Sequence, residues 1–121
     1  MLIIEDEWLI ACEIAAMAER AGGTSVSMAA TQIDAIAEAR AEPPDVVLSD
    51  VQLREGTGPL AVEAIIAEHG QIPVIFITGT PEHCKPCEPP HVILGKPLEE
   101  RIFTKAFRER APCNSGTNTG A

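Results

Sequence analysis

The segment 45–50 constrains the fold of this chain more than any other stretch. Its three central residues are apolar and do not alternate with polar ones, which indicates a strand buried on both faces. The segment 56–59 contains glycine and proline and predicts that the strand ends in a loop. Asp50 therefore lies at the carboxyl end of a central parallel strand, where open α/β sheets place their functional sites. A carboxylate there is a nucleophile, a metal ligand or an N-cap for the next segment of the chain.

Elsewhere, short apolar segments alternate with segments of helical period. The predicted strands are 1–4, 24–29, 45–49, 73–77 and 91–94, and the predicted helices are 8–21, Thr31 to Pro43, Pro59 to Gly70, and 98–110. The predicted apolar helix faces are Ile10, Ile14, Met17 and Ala21; Ile33, Ile36 and Ala37; Leu60, Ala61, Ala64 and Ile65; and Ile102, Phe103, Ala106 and Phe107. Right-handed crossovers then give an α/β, flavodoxin-like, doubly wound sheet of five parallel strands in the order 2-1-3-4-5. Residues 79–90 contain four prolines, so we expect the fourth helix to be short or absent.

Length and charge narrow the class of protein. With 121 residues the chain is one domain, predicted to span 1–110 with a disordered tail at 111–121. The net charge of −9 argues against direct binding of nucleic acid. No apolar run is long enough to span a membrane, and no signal peptide is visible. We therefore expect a cytoplasmic protein without disulfides.

Polar residues follow the predicted strands at the edge where parallel strands end. Glu5 and Asp6 follow the first strand and Asp50 ends the third, and these two strands are neighbours in the predicted order. Three crowded carboxylates repel one another, so at least one pKa should rise unless a cation lies among them. Ligands that are all oxygen favour Mg²⁺. Thr78 and Lys96, at the ends of the fourth and fifth strands, add a hydroxyl donor and a positive charge, a set that suits phosphoryl transfer to a carboxylate.

This constellation resembles the receiver domain of two-component response regulators, the CheY-like family. The residues that carry the resemblance are Glu5-Asp6, Asp50, Thr78-Gly79 and Lys96-Pro97. The resemblance implies that Asp50 is the phosphoacceptor and that Mg²⁺ is held by Asp50, by Asp6 directly, by Glu5 through water and by the backbone carbonyl of Gln52. It further implies that Thr78, Gly79 and Lys96 form the phosphoryl-binding switch and that the Lys96-Pro97 bond is cis.

The same resemblance implies the partners. A sensor histidine kinase or phosphotransfer protein would supply the phosphoryl group, and an output protein or domain would respond to it. Such a domain is no enzyme toward other substrates, because it catalyses only its own phosphorylation and dephosphorylation.

A narrower resemblance is to the PhyR-type, or "FAT GUY", receivers. Ile3 to Glu7, Asp50 to Leu53 and Pro73 to Gly79 carry it. In PhyR the receiver follows a sigma-factor-like domain, which would explain an apolar run that starts at the first residue. We therefore expect the natural polypeptide to extend upstream, although the subgroup also contains receivers that stand alone.

Two features depart from the family pattern. Ile93 occupies the position in the fifth strand that often carries a switching Tyr or Phe. The proline-rich segment replaces the usual fourth helix. Both features argue against signalling to the output partner through the surface of the fourth helix, fifth strand and fifth helix, which is the usual route in this family.

Two other functions stay open at this point. One is a receiver-like protein-interaction module that is not phosphorylated. The other is a thiol or zinc sensor at Cys84-Cys87, with His83 and His91 nearby. Against the sensor, a second C-x-x-C is absent and the neighbouring prolines oppose a helix start, so a stiff loop with incidental thiols fits better. Trp8 should begin the first helix at the rim of the acidic pocket and be partly exposed.

Overall fold

The computed structural model describes residues 1–79 and 92–111. The elements in chain order are β1 (Leu2–Ile4), α1 (Trp8–Arg20), β2 (Ser27–Ala29), α2 (Gln32–Ala41), β3 (Val47–Asp50), α3 (Gly58–His69), β4 (Val74–Thr78), β5 (Val92–Gly95) and α4 (Glu100–Arg110). Three expectations lie outside the described residues: the short or absent fourth helix, the Cys84-Cys87 sensor, and the disordered tail from residue 112. Within the described ranges, no helix is both long and apolar enough to cross a membrane.

The five strands form one parallel sheet in the order β2-β1-β3-β4-β5. This confirms the predicted flavodoxin-like order. The register places Ile4 beside Ser49, and Asp50 beside Ile77. The carboxyl ends of β1, β3 and β4 therefore reach the same edge of the sheet.

Both faces of the sheet are covered, as the non-alternating strand sequences predict. Leu2, Ile4, Val47 and Phe76 pack beneath α2 and α3 in one core cluster. The alternate strand residues face the opposite side of the sheet and form a second core cluster with α1 and α4. This cluster contains Ile3, Leu48, Ile75 and Ile77 from the strands, and Ile14, Phe103 and Phe107 from the helices. The two layers leave only the edges of the sheet available for a polar site.

The predicted inward face of α2 is wrong. Ile33 is 76% exposed and Ala37 is exposed, whereas Ala35 and Ala39 are buried and Ile36 is only partly buried. The Thr31 hydroxyl accepts the backbone N–H of Asp34 at 3.0 Å, which fixes where the helix begins. The small alanines allow α2 to approach the sheet closely, and the larger isoleucine side chain is left outside.

Smaller differences concern the other helices. The predicted α1 face is correct, since Ile14, Met17 and Ala21 are buried. Leu60 and Ile102 were expected inside but are 46% and 49% exposed. In α3 the predicted Ala61 and Ile65 are buried and Ala64 is partly buried, but Val62 is buried and Leu60 is not, so the face is turned slightly from the predicted one. The second strand is also shorter than predicted, because only Ser27–Ala29 pairs with β1.

Candidate functional site

Three carboxylates meet at the carboxyl edge of the sheet. Glu5 and Asp6 follow β1, and Asp50 ends the neighbouring β3. One oxygen from each carboxylate lies within 4.8 Å of the other two. The topology therefore brings together the acidic residues that the sequence predicts, and we call them the acidic triad.

A glycine lets the next helix begin directly against this edge. A Cβ at Gly58 would lie 1.8 Å from the backbone oxygen of Asp50 and 2.3 Å from the Ser49 hydroxyl. The Gly58 N–H also donates to the carbonyl of Val51 at 2.9 Å. Only glycine fits this close approach, so α3 holds the end of β3 in place from behind.

Lys96 reaches the acidic triad from the far side of β4. Its Nζ lies 3.3 Å from Asp50 Oδ2 and 3.5 Å from Glu5 Oε1. Its backbone N–H donates to the carbonyl of Thr78 at 2.9 Å, and the Lys96–Pro97 peptide bond is cis. Burial lowers the pKa of Lys96, but attraction by Asp50 and Glu5 outweighs it and raises that pKa above its usual value.

Glu5 is the most buried member of the acidic triad, with a fully buried side chain. Burial, followed by repulsion from Asp50, raises the pKa of Glu5. The hydrogen bond from the Glu7 N–H to Oε2, at 3.1 Å, and the charge of Lys96 act in the opposite direction without cancelling the rise. The single ammonium of Lys96 is therefore not enough to neutralise this edge.

The two remaining carboxylates accept backbone hydrogen bonds from the loop after β3. Asp50 Oδ1 accepts the N–H of Val51 at 2.7 Å, and Asp6 Oδ2 accepts the N–H of Arg54 at 2.7 Å. The Arg54 side chain also places Nε 3.9 Å from Asp6 Oδ2. Arg54 was not among the residues predicted from the sequence, although a basic residue in the loop directly after Asp50 is a visible signal.

The other predicted site residues surround this edge. Thr78 ends β4 and is 4% exposed. Gly79 follows it, and among the residues that the structure describes no heavy atom lies within 4 Å of the position that a Cβ there would take. Gln52 forms an isolated antiparallel bridge with Thr57, which holds its backbone at the base of the loop.

Ile93 and Trp8 are the remaining residues that the sequence singled out. Ile93 is half-buried in β5 and packs against the core cluster beneath α2 and α3. Trp8 is the first residue of α1 and is 68% exposed. Its exposure exceeds the partial exposure that we predicted.

The acidic triad fits a hard divalent cation by its donor chemistry. All of its donors are carboxylate oxygens, with the backbone carbonyl of Gln52 as a further candidate, and Mg²⁺ prefers such ligands. Lys96 is an additional positive group that can meet an anion placed on Asp50. The edge thus brings together oxygen ligands that suit a divalent cation, a carboxylate that could act as a nucleophile, and a positive charge.

The chain is similar in sequence and fold to known proteins. The family described as response regulator receiver domain matches residues 1–86. The phyllosphere-induced regulator PhyR of Methylorubrum extorquens is 34% identical over 102 residues, which are 82% of this chain and 38% of that protein. The chain therefore spans less than half the length of this relative.

Solved structures agree with the sequence relatives. The receiver domain of PhyR from Erythrobacter litoralis superposes with a TM-score of 0.77 at 32% identity, covering 93% of this chain and 92% of that domain. A variant of PhyR from Bartonella quintana, described as an anti-anti-sigma factor, gives a TM-score of 0.76 at 35% identity, covering 88% of this chain and 45% of that protein. The chain belongs to the response regulator receiver domains, and its resemblance is to those of the PhyR type.

Proposed function

We propose that this receiver domain accepts a phosphoryl group from a phosphohistidine protein onto Asp50, with Mg²⁺, and thereby changes its affinity for a partner. The observation that carries the proposal is the position of the Asp50 carboxylate. It lies 3.3 Å from the Lys96 ammonium and within 4.8 Å of oxygens of Glu5 and Asp6. A nucleophile, a fixed cation and the ligands for a second cation therefore share one edge.

The transfer is a substitution at phosphorus. A carboxylate oxygen of Asp50 attacks the phosphorus, an O–P bond forms, and the N–P bond to the donor imidazole breaks with its electron pair left on nitrogen. Lys96 pairs with a phosphoryl oxygen, and the Thr78 hydroxyl donates to another and reports occupancy. Attack by water on the same phosphorus later returns Asp50 and inorganic phosphate. The domain acts on no other substrate in this scheme.

Mg²⁺, when bound, neutralises negative charge on the phosphoryl oxygens. Asp6 and Asp50 would hold it directly, Glu5 would hold it through water, and the Gln52 carbonyl would be a further ligand. Cytoplasmic location stays a prediction.

The phosphodonor partner follows from the chemistry and the output partner from the relatives. A sensor histidine kinase or a phosphotransfer protein supplies phosphohistidine. The Bartonella relative is described as an anti-anti-sigma factor. We extend that role here as part of the proposal, so that the output partner is an anti-sigma factor or a domain that binds one.

Incubation with acetyl phosphate and Mg²⁺, followed by intact-mass measurement, tests the proposal. The wild type should gain one phosphoryl group, and Asp50→Asn should gain none. Asp45→Asn is the matched control, because Asp45 is an exposed carboxylate at the opposite end of the β3 segment. It should label like the wild type.

The outcomes separate the candidate functions. Equal labelling of Asp50→Asn would assign the phosphoryl group elsewhere. A folded wild type that binds Mg²⁺ but takes no phosphoryl group from acetyl phosphate or from a phosphohistidine protein would favour the non-phosphorylated interaction module. A response to Zn²⁺ or to oxidants that is lost in Cys84→Ser would favour the thiol or zinc sensor.

A further inference from the structure

Arg54 is a second cation at the acidic triad, and the proposed phosphoryl transfer gives it no role. Its Nε lies 3.9 Å from Asp6 Oδ2, on the carboxylate that Lys96 does not contact. The side chain of Asp6 is 13% exposed, whereas that of Arg54 is 78% exposed. The contact therefore joins a fixed carboxylate to a guanidinium that is free to move into solvent.

The backbone of Arg54 is fixed although its side chain is free. Its N–H donates to Asp6 Oδ2 at 2.7 Å. Gln32, the first residue of α2, holds the far end of the loop, because its N–H donates to the Glu55 carbonyl at 3.1 Å and its Oε1 accepts the Thr57 N–H at 3.0 Å. Leu53 packs into the core beneath α2 and α3. The loop thus tethers the guanidinium within reach of Asp6.

The charges at this edge then divide into two groups. Lys96 lies between Glu5 and Asp50, and Arg54 lies against Asp6. Asp6 is also the carboxylate placed to hold Mg²⁺ directly under the proposed function. A divalent cation held by Asp6 would share that carboxylate with the guanidinium, and two positive groups so close together repel.

We infer that Arg54 is a built-in competitor of the divalent cation: its guanidinium pairs with Asp6 in the metal-free protein, is displaced when Mg²⁺ binds, and so sets the affinity of the site. The inference rests on the proposed Mg²⁺ site. Arg54 is a positioning residue for Asp6 and takes no part in the transfer itself. Its exposure makes displacement into solvent possible without change in the loop backbone.

Isothermal titration calorimetry of Mg²⁺ into wild type and Arg54→Gln tests this directly. The variant should bind with a dissociation constant lower by about threefold, which is the order of magnitude for no longer having to break one exposed ion pair. The difference should shrink as ionic strength rises, because the guanidinium is exposed. Arg54→Lys keeps the charge and should stay near the wild type.

Arg40→Gln is the matched control, since it removes the same charge from an exposed helix surface where Arg40 pairs with Glu68. It should leave the dissociation constant unchanged. As a measurement independent of affinity, the ¹⁵Nε signal of Arg54 should shift on Mg²⁺ addition and saturate with the calorimetric dissociation constant.

The results distinguish this inference from the proposed function. If the wild type binds Mg²⁺ and is phosphorylated, but Arg54→Gln matches Arg40→Gln in affinity, the competitor role is wrong and the proposed function stands. An Arg54→Lys variant that binds as tightly as Arg54→Gln also contradicts the competitor role, because the positive charge would then not be the cause. A folded wild type that binds no Mg²⁺ overturns both.

Discussion

The ion pairs between helices differ from those at the carboxyl edge of the sheet, and distance alone does not show which of them stabilise the fold more. On the helices, Arg20 Nε lies 2.6 Å from Glu100 Oε2, joining α1 to α4, and Arg40 Nε lies 2.9 Å from Glu68 Oε1, joining α2 to α3. At the carboxyl edge of the sheet, the contacts of Lys96 with Asp50 and Glu5 are longer, at 3.3 and 3.5 Å. By distance alone the helix pairs look stronger.

Exposure reverses that ranking. The side chains of Arg20 and Glu100 are 56% and 45% exposed, so water and salt offset much of their attraction. Hydrogen bonds from Arg20 and Arg40 lower the pKa values of Glu100 and Glu68. At the edge, burial and Asp50 raise the pKa of Glu5 despite Lys96. In the helix pairs, each carboxylate is thus stabilised by its arginine. At the edge, part of the negative charge stays unbalanced, and a bound cation would neutralise it.

The largest expected effect is stabilisation by Mg²⁺. At a concentration of about a hundred times the dissociation constant, Mg²⁺ should raise the free energy of unfolding by about 2.7 kcal/mol. Urea unfolding with and without Mg²⁺ measures this change. Glu68→Gln, which removes a helix-surface carboxylate, should keep the gain, and Asp6→Ala should lose it. An equal gain in Asp6→Ala would mean that Mg²⁺ acts at another site.

The next effect is the loss of Lys96. Lys96→Met leaves Glu5 and Asp50 without their cation, and the free energy of unfolding in metal-free buffer at neutral pH should fall by about 2 kcal/mol, less than for a fully buried pair because water reaches Lys96. Addition of Mg²⁺ should recover part of the loss. Lys105→Met, on the exposed surface of α4, is the matched control and should change little. A loss in Lys105→Met as large as in Lys96→Met would remove the contrast between the two regions.

The pH dependence of stability should have opposite signs in the two regions. The pKa of Glu5 is raised above its ordinary value of 4.5, so the folded state holds that proton more tightly than the unfolded state. Its contribution is present below pH 4.5 and is lost as the pH rises through the raised pKa. The lowered pKa of Glu100 gives the reverse: stability present above 4.5 that is lost as the pH falls through the lowered value.

Unfolding measured from about pH 2.5 to 8 in metal-free buffer, for wild type, Glu5→Gln and Glu100→Gln, separates these contributions, because the Glu100 transition lies below pH 4.5. Relative to wild type, Glu5→Gln should become more stable as the pH rises, and Glu100→Gln should become slightly less stable. Asp50→Asn should weaken the Glu5 dependence, because Asp50 is the second cause of the raised pKa. If the stability of wild type and of Glu5→Gln changed in parallel with pH, ionisation of Glu5 would not destabilise the folded state.

The smallest expected effect is the loss of a helix pair. Arg20→Gln removes a short, bidentate contact with Glu100, yet its melting temperature should differ little from that of the wild type and not at all at high salt. Differential scanning calorimetry at low and high ionic strength measures this. A salt-independent decrease comparable to that of Lys96→Met would show that distance, not burial, ranks these pairs.

Much of the site could be predicted because topology places it. Non-alternating apolar segments identify buried parallel strands, and parallel strands end at a shared edge, so Glu5, Asp6 and Asp50 had to meet once the strand order was known. Lys96 reaches the same edge because it follows the carboxyl end of β5. These predictions needed only the strand sequences and their order.

The features that the sequence did not reveal depend on contacts between segments. Arg54 reaches Asp6 only because Gln32, from another helix, holds the loop. The buried face of α2 is made by alanines that allow close packing. The prediction placed the large apolar Ile33 on that face, but Ile33 is exposed. Loop conformation and the packing of small residues are set by the tertiary structure, which periodicity alone does not encode.

The identity of the phosphorylated residue is the most direct test of the central claim. Protein treated with acetyl phosphate and Mg²⁺ is reduced with borohydride, which converts an aspartyl phosphate to homoserine, and the modified residue is located by peptide mass spectrometry. We predict homoserine at position 50 alone, dependent on both the phosphodonor and Mg²⁺. Homoserine at another aspartate, or none in a protein that has gained the phosphoryl mass, would contradict the claim that Asp50 is the phosphoacceptor.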